Sequence, residues 1–336
     1  MVLILMKPKK GLKFCKEMKN NFWVKLEKPI LALAPMAGVT DSAFRQICYE
    51  NGADIVYSEM ANVSALFYNA KKTLELVKFN RKYEKFYVVQ LFGKNPEHFA
   101  VASKIITEEI KPHGIDINFG CPAKKVFGHG SGCALMPQKK LAREIISAVI
   151  NNTNLPVSIK IRAGIGDTNA LEFIKNIKDL DFKAVMVHGR TYEGKFTGKV
   201  DFALVEKIKK IIPEKIVLAN GGITTPEIGV GILKKYPTLD GLGIARGTFG
   251  QPWIFQQIKD LITKEKHKKY TFANIKKIML HHAELLWKDK KAKGMFEVRK
   301  HLAWYIKGFP GASEIRKKLM LIKIPKEIKE ILKNIK

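Results

Sequence analysis

A chain of 336 residues is longer than one average domain and suits a barrel with a smaller appendage. Its 60 Lys and Arg face 31 Asp and Glu, a net charge of +29 that favours polyanionic partners, nucleic acid ahead of an anionic membrane surface. The one terminal apolar run, Met1 to Met6, is too short to span a bilayer, which excludes a transmembrane class and predicts a soluble protein with no membrane partner.

The first 29 residues, with Lys7-Pro8-Lys9-Lys10, read as a basic N-terminal arm. From Ile30 onward, short apolar runs alternate with segments of helical period. The runs are Ile30 to Met36, Asp54 to Met60, Tyr87 to Gly93, Gly114 to Gly120, Val157 to Gly164, Ala184 to Arg190, Ile216 to Gly222 and Gly241 to Gly247. Between them lie amphipathic stretches such as Pro96 to Ile110 and Lys139 to Asn151. Near-continuous apolar strands separated by helices imply a parallel sheet buried on both faces. Eight such units predict an α/β fold, a closed TIM (β/α)8 barrel over 30–260. The chain beyond residue 260 offers only helical periods, Ile275 to Trp287 and Phe296 to Ile306 among them, so 261–336 reads as a small all-helical domain. From Lys264 onward it carries 21 Lys and Arg against seven Asp and Glu, nearly half of the excess charge.

Several of these runs end in polar residues next to glycine turns. Gln90, Asn118, Lys160, His188, Asn220 and Arg246 all fall at the end that a barrel turns into its functional mouth. After the seventh run comes Asn220-Gly221-Gly222-Ile223-Thr224-Thr225-Pro226, where paired glycines precede an N-cap threonine and a first-turn proline. The eighth ends Ala245-Arg246-Gly247 and adds a guanidinium. Backbone N–H groups, a helix N-terminus and an arginine at that place predict a phosphate site.

The cysteines are Cys15, Cys48, Cys121 and Cys133; none forms a C-x-x-C pair and no His cluster has zinc spacing, so neither a disulfide framework nor a metal is expected. A reducing cytoplasm fits that usage. Cys48 and Cys133 read as core residues. Cys121 is different. It stands between Gly120 and Pro122 at a strand end, and its thiol, mostly protonated at neutral pH, is placed to donate a proton. The pair His281-His282 has no metal spacing and reads as helix surface and packing.

In order along the chain, Ala34-Pro35-Met36-Ala37-Gly38-Val39-Thr40-Asp41, Asn118-Phe119-Gly120-Cys121-Pro122-Ala123-Lys124-Lys125, Val187-His188-Gly189-Arg190, Ala219-Asn220-Gly221-Gly222 and Ala245-Arg246-Gly247 resemble the motifs of the tRNA-dihydrouridine synthase family. His301-Leu302-Ala303-Trp304-Tyr305 is similar to its helical domain, and the likeness spans about Ile30 to Leu319. The resemblance implies FMN at the barrel mouth, NADPH or NADH as electron donor, and tRNA as substrate. It places Pro35, Met36 and Ala37 around the flavin, Gln90 and Lys160 at its polar edge, His188 beside it, and Asn220, Gly221, Gly222, Ala245 and Arg246 at its phosphate end. It gives Cys121 as proton donor to C5 of an extruded uracil whose C6 takes a hydride. Lys124 and Lys125 beside that cysteine and Arg190 at the end of the sixth run would ring the mouth, and with Asn118 they are expected on the RNA side. Gly222 stands where many members carry Asp. The rival readings are a flavin barrel of the dihydroorotate or dihydropyrimidine dehydrogenase kind acting on a free pyrimidine, and a non-catalytic RNA-binding barrel. The first leaves the basic helical domain unexplained, and the intact set Gln90, Cys121, Lys160, His188 argues against the second.

Overall fold

The computed structural model describes residues 21–264 and 266–333; Met1 to Met6, Lys7 to Lys10 and Cys15 lie outside the described residues. All eight runs form strands: β1 Ile30–Leu33, β2 Ile55–Tyr57, β3 Tyr87–Phe92, β4 Gly114–Phe119, β5 Val157–Ile165, β6 Ala184–Thr191, β7 Ile216–Asn220 and β8 Gly241–Ile244. Each pairs in parallel with the next. β1 pairs with β8 in parallel from Ile30↔Gly241 to Leu33↔Ile244, so the sheet closes on itself as a TIM barrel. The apolar runs are apolar throughout because both faces are covered: Ile30, Leu31, Ala32 and Leu33 are all fully buried.

The connecting helices start where the sequence offers caps. Asp41 accepts the Phe44 N–H at 2.9 Å to open Ser42–Glu50, and Thr225 caps Pro226–Lys235 with proline in its first turn. Residues 21–29 of the expected arm close the barrel's other end. A 3-10 turn, Phe22–Lys25, seats Phe22 and Trp23 against Ile30, Tyr57, Val88 and Met186.

Lys160, expected at a strand end, is not at one. β5 continues past it to Ile165, where a two-residue strand, Thr168–Asn169, pairs back on it. Lys160 is therefore an inward-facing mid-strand residue, and Arg162, two residues on, shares its face.

The helices Phe272–Lys290, Ala292–Tyr305, Ala312–Leu319 and Pro325–Leu332 follow. Their core includes Met279, Leu286, Leu302 and Ile328, and also takes in Ala43 and Trp253 from the barrel. Residue 260 is not a break, since the helix Ile254–Lys264 runs through it. At the seam His281 Nε2 sits 3.0 Å from Glu50 Oε2, and buried His282 stacks on Phe44 with its Nδ1 3.2 Å from the Tyr305 hydroxyl. Among the described residues no helix is long and apolar enough to cross a membrane.

Candidate active site

The C-terminal ends of the strands enclose a cavity of about 620 Å³, within the size range of small-molecule sites. Gln90, Asn118, Lys160, His188, Asn220 and Arg246 all line it, from six different strands or strand ends. Pro35, Met36 and Ala37 form another part of the wall, in the turn after β1 that Thr40 ties through Met36 N and O at 3.2 Å each. The Gly38 peptide of that turn is held from both sides, its N–H by Glu59 and its carbonyl by Lys300 of the helical domain.

Cys121 opens onto the same cavity as Gly221 and Gly222, so the loop after β4 and the paired glycines after β7 meet at one rim. Asn118 Oδ1 accepts the N–H groups of Gly120 at 3.0 Å and Cys121 at 2.9 Å, and the Cys133 N–H binds the Cys121 carbonyl at 3.2 Å. Burial pushes the Cys121 thiol up, against the Ala123 N–H and the cations Arg162 and Lys160, so it stays protonated at neutral pH. That state is the one a proton donor needs. Cys48 and Cys133 are fully buried, as expected for core residues.

Beneath the loop a hydrogen-bonded chain links the adjacent strands β3, β4 and β5. Ser158 Oγ donates to Asp116 Oδ1 at 2.6 Å, and Gln90 Nε2 donates to Asp116 Oδ2 at 2.7 Å. Asn118 Nδ2 then donates to Gln90 Oε1 at 2.9 Å. Burial raises the Asp116 carboxyl to about 6, opposed by its bonds from Gln90 and Ser158 and by the Lys160 cation. Lys160 Nζ donates to Asn220 Oδ1 at 3.2 Å; burial, with Arg162 beside it, brings this ammonium down to about 8. His188 is pushed down to about 2, by burial first and then by Lys160, Arg162, Arg190 and Arg246, so its ring is neutral.

The paired glycines after β7 are required by their backbone. Gly221 has φ +109° and a Cβ there would lie 2.5 Å from the His188 ring; Gly222 has φ +71°. Gln251 ties the two turns together, donating to Thr224 O at 2.7 Å and Gly247 O at 2.8 Å. Arg246 Nη2 donates to Phe196 O at 3.0 Å, its guanidinium 4.7 Å from that ring. Ala245 also lines the cavity.

Arg190 lines the cavity, with its Nε donating to Gly198 O. Lys124 and Lys125 do not; they are exposed on the short helix Lys124–Gly128, whose Phe127 stacks on Tyr192 at 4.5 Å. Sequence reading missed Arg162, which is 1% exposed and donates to Gly120 O, Thr191 O and Lys195 O at 2.9 Å each, binding the Cys121 loop to the one after β6. Its two-residue spacing from Lys160 was the available signal. Asp116 was missed likewise, two residues before Asn118. Phe196 and Phe249 are in the wall too, and Phe249 stacks on Trp304 of the helical domain at 3.9 Å.

Solved structures of low sequence identity share the fold. A chain described as TcOYE with pHBA aligns with TM-score 0.50 at 9% identity, covering 73% of this chain and 91% of that one. A 2-naphthoyl-CoA reductase complex aligns with TM-score 0.51 at 9% identity, over 68% of this chain and 50% of that one. Closer likeness lies in sequence. The tRNA-dihydrouridine synthase B of Pseudomonas aeruginosa is 35% identical across 85% of this chain and 86% of its own length. The probable tRNA-dihydrouridine synthase of Rickettsia conorii is 35% identical across 89% of this chain and 91% of its own. Residues 32–336 match the family model described as Dihydrouridine synthase (Dus), and the chain belongs to that family.

Proposed function

We propose that this protein reduces uridines in tRNA to 5,6-dihydrouridine, with FMN as cofactor, NADPH or NADH as electron source and Cys121 as proton donor. The observation that carries the reading is a protonated thiol on one cavity with a half-buried cation and a double-glycine turn.

The cavity's chemistry fits a flavin mononucleotide. Gly221, Gly222, Ala245 and Arg246, with the capped helix at Pro226, would hold its phosphate. Gln90 and Lys160 would meet the polar edge of its ring, His188 would lie beside it, and Pro35, Met36 and Ala37 would supply the apolar contact. A bound flavin supplies hydride chemistry that no side chain here can perform. The chain's own part is to bind, shield and protonate. Lys160, cationic below about pH 8, offers a fixed positive charge on the cavity wall. Neutral His188 can donate or accept one hydrogen bond without adding charge. Cys121 holds its proton at Sγ until the pyrimidine carbon takes it, and Asn118 fixes the backbone beneath it. Stacked bases cannot enter such a cavity, so the uridine must be extruded. Arg190 at the rim, Lys124 and Lys125 outside it, and the basic helical segment 261–336 would hold the RNA backbone without reading its sequence.

Two measurements test this. Dihydrouridine mapped in tRNA from cells lacking the chain should return when the chain is restored. Cys121→Ala should slow single-turnover reduction of tRNA by about 100-fold or more, the scale of lost proton transfer, with flavin reduction by nicotinamide little changed. A wild-type rate for that variant removes Cys121 from the role.

A further inference from the structure

We propose that Asp116, which lies under the cavity wall rather than in it, is a positioning residue: it fixes the hydrogen-bond direction of the chain Ser158–Asp116–Gln90–Asn118 and so holds the backbone of Cys121. The inference rests on the reading of Cys121 as proton donor and adds what keeps it in place.

The reasoning is one of polarity. An ionised carboxylate only accepts hydrogen bonds. Gln90 must therefore turn its NH2 toward Asp116, as it does at 2.7 Å, which leaves its carbonyl oxygen facing Asn118. Asn118 must in turn spend an N–H on Gln90, and its oxygen is left for the N–H groups of Gly120 and Cys121. Amide orientation is ordinarily free to flip; here one anion settles two amides in series. Flipping Gln90 would set its oxygen against the Asp116 carboxylate and its NH2 against that of Asn118. Flipping Asn118 would point its NH2 at two backbone N–H groups and release the loop. Asp116 is fully buried, Gln90 is 2% exposed and Asn118 6%, so water cannot easily replace a lost partner. The loop has two further ties, Arg162 to Gly120 O and Cys133 N–H to Cys121 O, but both hold carbonyls; the N–H groups of Gly120 and Cys121 depend on Asn118.

The chain also predicts which substitution is harmless. In Asp116→Asn the amide oxygen can keep accepting from Gln90 while its NH2 turns to Ser158, whose hydroxyl can accept and in turn donate to Tyr57, already within its reach. In Ser158→Ala the carboxylate still orients Gln90. Only the double variant removes the acceptor that keeps the introduced amide the right way round, so that its NH2 can face Gln90 and reverse the whole chain.

The test is a double-mutant cycle on the flavin-loaded protein with two readouts: single-turnover tRNA reduction, and iodoacetamide alkylation of Cys121 followed by mass spectrometry from about pH 7.5 to about pH 9, where Asp116 is ionised. Each single variant should stay within about threefold of wild type in both. Together they should slow reduction about tenfold beyond the product of the singles, and speed alkylation about fivefold with a changed pH profile, inside the range of coupled neighbours. Asn118→Leu, with Asp116 and Ser158 intact, should reproduce the faster alkylation even if the double variant does not fold. Purely multiplicative effects, or unchanged alkylation in Asn118→Leu, overturn the proposal. Alkylation needs no substrate, so a wild-type protein inactive on tRNA would refute the functional reading while leaving this coupling measurable.

Discussion

Raising the pH past 8 should loosen FMN from this protein, and one side chain should account for it. In the cofactor-free fold burial, reinforced by Arg162, brings Lys160 from 10.5 down to about 8. Below pH 8 the ammonium is charged and can hold the polar edge of the ring. At about pH 9 only about one molecule in ten still carries that charge before binding. A ligand that prefers the cation must raise its pKa in the complex, so affinity is flat below pH 8 and falls about tenfold per unit above it, until the complex's own pKa is reached. The stability of the cofactor-free protein should move the other way. Between pH 8 and 10.5 the unfolded chain binds more protons than the folded one, so stability rises with pH across that window. Fluorescence titration of the apoprotein with FMN, from about pH 6.5 to about pH 9.5, reads the first effect, and denaturant midpoints read the second. Lys160→Met should bind more weakly at neutral pH and show no slope. If that variant keeps the wild-type slope, or if wild-type affinity is level to the end of the range, Lys160 does not carry the interaction.

Binding to tRNA should weaken steeply with salt, and Lys124→Ala with Lys125→Ala should reduce the log–log slope by about two while weakening all tRNA sequences alike; filter binding at several ionic strengths checks this, and a level response would exclude a phosphate-led surface. Trp304→Ala removes the ring stacked at 3.9 Å on Phe249 of the cavity wall. It should lower FMN affinity by about tenfold, the size of one such aromatic pair, and reduce the melting temperature of the whole chain as a single transition.

The barrel was legible because both faces of its strands are covered, which makes each run apolar end to end and marks its start and stop by polar turns. The capped helix after β7 was legible too, since Thr225 and Pro226 after two glycines form a local signal that needs no tertiary context. Arg162 and Asp116 are harder. Each lies inside a strand run, and only the two-residue alternation with Lys160 and Asn118 hints that it faces inward. The end of β5 is obscured at Lys160 because a cation inside a barrel looks, in sequence, like the end of a buried strand. The Lys300 to Gly38 bond was beyond reach altogether, because its partners lie 262 residues apart and nothing in the sequence around Lys300 points to the turn that holds Gly38.

That last bond orders events during synthesis. The sheet cannot close before Ile244 is available to pair with Leu33. Even then Gly38 lacks Lys300 and Phe249 lacks Trp304 until the helix Ala292–Tyr305 has left the ribosome and docked. A nascent or truncated chain that stops at Lys264 would thus own a finished ring of strands and an unfinished seat for its prosthetic group. Flavin loading would then follow the docking of that helix rather than the closure of the strands.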